Sequence, residues 1–84
     1  MKHMTLDEAL ELRNFILEKT DRVHHLERMI DEIHAQYKTM TRKQLEEAAR
    51  DVAGMKREIE EHKKWCAKAK AKVNAYFASP IMVA

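Results

Sequence analysis

The sequence predicts an all-α protein: an antiparallel two-helix hairpin with coiled-coil-like packing, assembling into a four-helix bundle or larger homo-oligomer. The first observation is a pair of heptad ladders. One holds Ala9, Leu12, Ile16, Lys19, Val23, Leu26, Ile30, Ile33, Tyr37 and Met40; the other holds Leu45, Ala48, Val52, Met55, Ile59, His62, Cys66, Ala69, Val73 and Tyr76. Both step alternately by three and four residues, the spacing that keeps one seam of a helix facing a partner. The second observation is a phase slip between the ladders, since Tyr37 to Leu45 spans eight residues where the heptad requires seven. The third is composition. Charged residues make up 36% and hydrophobic ones 45%, with one Gly and one Pro, which suits long solvated helices and not a turn-rich β domain.

Residues 1–4 read as a tag remnant or disordered start, because a His-Met pair resembles a cloning scar. Helix 1 is expected over about residues 6–38. Thr5-Leu6-Asp7-Glu8 has the form of a capping box, and Asp7, Glu8 and Glu11 place negative charge on the positive end of the helix dipole. A second box, Thr41-Arg42-Lys43-Gln44, coincides with the phase slip, and the β-branched Thr39 and Thr41 flank it. Residues 39–41 are therefore expected to turn, with helix 2 over about 42–78 and ended by Ser79-Pro80. The remainder, 79–84, is an apolar C-terminal tail.

The absence of Gly and Pro at the slip also permits one continuous rod with a skip. Side-chain size favours the hairpin. If positions summing to about 85 face each other, Tyr37 meets Ala48, Ala9 meets Tyr76, Ile33 meets Val52, Ile30 meets Met55 and Leu26 meets Ile59. Large then faces small at both ends, with medium on medium between, as close packing requires.

One seam makes a thin core, and the chain carries more apolar surface than one seam uses. Leu10, Phe15, Leu17, Met29 and Trp65, with Leu6 and Phe77, lie off the ladders. Alanines at 49 and 53, and at 67, 71, 75 and 78, form short stripes that let another helix approach. Self-association through Leu10, Phe15, Leu17, Met29 and Trp65 follows as the expectation.

Few constellations could carry chemistry. His62 and Cys66, four apart, project from one helix face and have the spacing of a shared metal; the competing reading is a polar register-setter beside a small core hydrophobe. Asp21-x-x-His24 and Asp31-x-x-His34 echo carboxylate metal bundles but lack inward glutamates, and His24-His25 has the titration range of a pH sensor. Lys63, Lys64, Lys68, Lys70 and Lys72 surround Trp65 without an acid among them, a composition that suits an anionic ligand. Residues 41–84 carry ten bases and six acids, whereas residues 5–40 carry five bases and eight acids. In a hairpin the lysines would lie beside Asp7, Glu8, Glu11 and Glu18, so much of that charge is expected to be matched internally. Gly54, mid-helix, reads as easing close helix packing.

No nucleophile has both a base and an orienting carboxylate, so no enzyme and no cofactor are expected. A single cysteine excludes an internal disulfide and points to the cytoplasm; no apolar run approaches the ~20 residues of a membrane span, and a net charge of +2 does not by itself imply nucleic acid. The expected function is that of a non-enzymatic, self-associating hairpin that acts by binding another macromolecule, with an unidentified protein as the expected partner, as adaptor, regulator or small inhibitor. The alternative is an oligomer that binds nucleic acid or a nucleotide through the lysine cluster of helix 2.

Overall fold

The computed structural model describes residues 4–78. Residues 1–3 of the expected tag remnant and the tail 79–84 lie outside the described residues. Two long helices, α1 (Leu6–Gln36) and α2 (Arg42–Ala78), pack against each other along their length, and no strand occurs among the described residues. The molecule measures 65 × 20 × 16 Å. A single rod of some 70 residues would extend roughly 105 Å at 1.5 Å per residue, so the chain is a hairpin and not a rod.

Thr5 starts α1. Its backbone is extended, and its hydroxyl oxygen accepts from the Glu8 amide at 3.1 Å, while Asp7 and Glu8 occupy the first turn. At the other end, α-helical geometry stops at Gln36, two residues before the end expected from the ladder. A 3-10 turn, Tyr37–Thr39, follows. The Thr39 hydroxyl donates to the Gln36 carbonyl at 2.9 Å, the Met40 amide donates to the Tyr37 carbonyl at 3.2 Å, and Met40 is extended (φ −83°, ψ 144°). No non-glycine residue among those described needs a positive φ. That is why the reversal uses neither Gly nor Pro: the Thr39 hydroxyl and a tightened last turn satisfy free carbonyls of α1. The second capping box is reciprocal, with the Gln44 amide donating to Thr41 Oγ1 at 3.3 Å and the Thr41 amide donating to Gln44 Oε1 at 2.9 Å.

The seam divides into two clusters. Toward the turn, Val23, Leu26, Ile30, Val52 and Ile59 are buried, with Ile33 and Met55 packed on them. Toward the open end, Ile16, Cys66, Ala69 and Val73 are buried, with Leu12 against them. The ladder positions between the clusters are Lys19 and His62, the two polar intruders, and both are half-buried. Each turns its polar end aside. The Lys19 ammonium sits 4.9 Å from the centre of the Trp65 ring, and His62 Nε2 lies 3.1 Å from Glu58 Oε2. The lysine stem covers the seam while its charge leaves it.

Two sequence expectations need correction. Gly54 does not ease helix packing: a Cβ placed there would meet nothing within 4 Å. The seam also fails to close at the turn. Tyr37 and Leu45, both ladder residues, remain 53% and 39% exposed, because the 3-10 turn carries Tyr37 off the line of the heptad.

Candidate interaction surface

The interhelical ion pair fixes which residues share a flank. Arg22 Nε lies 2.9 Å from Glu58 Oε2, the oxygen that also contacts His62. Hydrogen bonds from Arg22, then from His62, hold the Glu58 carboxyl below the usual carboxylate range, and partial burial opposes them. The same contact raises Arg22 above its ordinary value. Both side chains are well solvated, so the bridge serves register more than stability.

Heptad steps from this pair keep to one flank. One step toward the open end reaches Phe15 on α1 and Trp65 on α2, and a second reaches Glu8 and Lys72. Phe15, Glu8, Glu11 and Lys72 line one shallow groove, which confirms the placement. One step toward the turn reaches Met29, half-buried, and Asp51. Phe15 is 47% and Trp65 36% exposed, the latter with one ring face under Lys19.

Leu17 lies on the opposite flank, in a groove with Arg13, Lys70 and Asn74, and Leu10 precedes it by one heptad. The five residues expected to mediate self-association are therefore split: Phe15, Met29 and Trp65 on one side, Leu10 and Leu17 on the other. Sequence reasoning treated them as one set because it ranked residues by distance from the ladder and not by side.

The lysine cluster is split as well. Lys63 and Lys70 share a groove with Thr20, His24, Glu27 and Cys66 on the Leu17 flank. Lys72 stands on the Phe15 flank, Lys68 is exposed at the border of that flank, and Lys64 is exposed on the outer surface of α2. Internal matching of these charges is not formed as expected. Among the described residues, no salt bridge joins Lys63, Lys64, Lys68, Lys70 or Lys72 to Asp7, Glu8, Glu11 or Glu18. The acids and lysines lie at the same end, but their side chains extend to solvent on different helices.

The structure adds a groove that sequence reasoning missed. At the turn end, Ile33, Tyr37, Met40, Leu45, Ala48, Ala49, Val52 and Ala53 line an apolar depression of ≈ 440 Å³, rimmed by His34 and Lys56. The exposed Tyr37 and Leu45 flank the phase slip; that slip was the available signal, together with the alanine pair at 49 and 53.

Cys66 is a buried free thiol whose Sγ lies 4.0 Å from the Ile16 carbonyl oxygen, the same oxygen that accepts the Thr20 hydroxyl at 2.8 Å. His62 is engaged with Glu58. Among the described residues no group of three or more His, Cys, Asp or Glu side chains is placed to hold a metal ion, and neither Asp21 with His24 nor Asp31 with His34 acquires a third member. No helix among them is long and apolar enough to cross a membrane. In comparisons with known protein families, with curated proteins and with solved structures, nothing matches the chain.

Proposed function

We propose that this hairpin is a non-enzymatic interaction protein of the cytoplasm that self-associates and acts by binding another macromolecule, as an adaptor, regulator or small inhibitor. One observation carries the reading. Among the described residues, eight large hydrophobic side chains are exposed, against ten buried residues in the hairpin's own core. Apolar surface in that proportion favours association. Six of the eight, Leu6, Leu10, Phe15, Leu17, Trp65 and Phe77, lie in the open-end half. Against catalysis, the one cysteine is buried against a backbone carbonyl, and the histidine four residues before it is held by Glu58. Sedimentation over a range of concentrations tests self-association. A dimer or larger species is expected at micromolar concentration, and a fully helical, cooperatively melting monomer there contradicts the reading.

The anion-binding alternative draws on Lys63 and Lys70, which share one groove with His24. Glu27 in that groove and Glu60 and Asp31 in the next one weaken the local positive field. It predicts steeply salt-dependent binding of nucleic acid or nucleotides. Replacing Lys63 and Lys70 by Ala, with binding unchanged, removes that alternative.

A further inference from the structure

We infer that the Phe15–Trp65 flank is the self-association surface, and that its occupant is a second copy related by a two-fold axis along the hairpin's length; this rests on the self-association proposed above. Three features of the flank support it. Its inward positions form layers that can be buried without leaving net charge: Glu8 with Lys72, Phe15 with Trp65, Arg22 with Glu58. The aromatic layer is half-exposed and uncovered on its outer side. At the border of the flank Glu11 on α1 stands opposite Lys68 on α2, and neither makes a salt bridge within the hairpin among the described residues; one heptad toward the turn the border is acidic on both helices, at Glu18 and Glu61.

The symmetry follows from that charge pattern. A two-fold axis along the hairpin lays α1 of one copy over α2 of the other and keeps open end on open end. The Phe15 and Trp65 rings of both copies then meet in one layer. Glu8 of each copy faces Lys72 of the other, Arg22 faces Glu58 and Glu11 faces Lys68. Three matched pairs on each side of the axis stand against one acidic approach, Glu18 to Glu61, so the isologous interface is complementary on balance. A two-fold axis across the hairpin would instead set each aromatic pair over the turn half of the other copy and leave it largely uncovered. The Leu17 flank carries Leu6, Leu10 and Phe77 as well, but its charge suits self-pairing less. Its groove at the same level is lined by Arg13 and Lys70, and the same symmetry operation would press four cations together.

Sedimentation of the full chain and its variants, at low salt, tests this. Phe15→Ala and Trp65→Ala are expected to raise the dimer dissociation constant by more than tenfold without loss of helical circular dichroism, since both residues are exposed in the hairpin. Leu17→Ala should leave it unchanged. Glu11→Lys and Lys68→Glu should each raise it about tenfold, by placing two like-charge pairs in the interface. An equimolar mixture of those two variants should recover a dimer, because one copy then carries bases at both positions 11 and 68 and the other carries acids at both. If the wild-type chain dimerises but the mixture associates no better than either variant alone, or if Leu17→Ala disrupts the dimer and Phe15→Ala does not, this surface is wrong while self-association stands. A wild-type chain that stays monomeric at tens of micromolar overturns both.

Discussion

The turn half and the open half of the hairpin follow the same heptad rule with different residues. In the turn half the buried positions are mostly large aliphatics, Leu26, Ile30 and Ile59 with Val23 and Val52, backed by Ile33 and Met55. In the open half they are Ala9, Ile16, Cys66, Ala69 and Val73, with Leu12 packed against the last four. Full burial of a Leu or Ile contributes about 1.5–3 kcal/mol, well above what an alanine methyl supplies. The open half therefore gains less from its own seam, yet it carries six of the eight exposed large hydrophobics. Apolar surface there has been moved from the seam to the flanks. Under the proposed self-association, the turn half relies mainly on its own seam and the open half is the one a second copy completes. The polar layer of Lys19 and His62 marks the border between them.

The contrast can be broken most severely at Leu26, which is 3% exposed at the centre of the turn-half cluster. Leu26→Ala should cost about 3 kcal/mol, read as a large fall in thermal midpoint. Cys66→Ala, its counterpart in the open half, should cost about 1 kcal/mol. Equal losses at the two sites would contradict the asymmetry. Thr41→Ala removes the hydroxyl half of the cap that starts α2 and should destabilise by about 1 kcal/mol in chemical denaturation. Gly54→Ala should stabilise by about 0.5–1 kcal/mol, because the added methyl enters open space on a helix and reduces unfolded-chain entropy. The smallest effect concerns the border. The lowered Glu58 carboxyl makes its contribution fully above the ordinary glutamate value of 4.5, and loses it as pH falls through the depressed value. The wild-type midpoint should accordingly drop further on acidification below that value than the midpoint of Glu58→Gln does.

Much of the hairpin was legible in the sequence because heptad spacing and side-chain size are local signals. Facing pairs that sum to about 85 fall into the same clusters, as Leu26 with Ile59 and Ile16 with Ala69 do. The turn was located by its threonines, although the end of α1 was placed two residues late, since a 3-10 tightening leaves no mark in a ladder. Sidedness was legible too, although the expectation did not use it: Phe15 and Leu17 fall on either side of the ladder residue Ile16 at 3.6 residues per turn, and they line opposite flanks. Charge pairing was only half legible. Proximity along the hairpin puts the lysines beside the acids of α1, and Glu8, Glu11 and Lys72 do share a groove, but no salt bridge joins them among the described residues.

Amide hydrogen exchange at two protein concentrations tests the division most directly. At low concentration, amides around Phe15 and Trp65 should exchange much faster than those around Leu26 and Val52. At high concentration the open-half amides alone should gain protection, as a second copy covers them. Protection that is uniform along the hairpin and independent of concentration would contradict a hairpin with one self-sufficient half and one half completed by association.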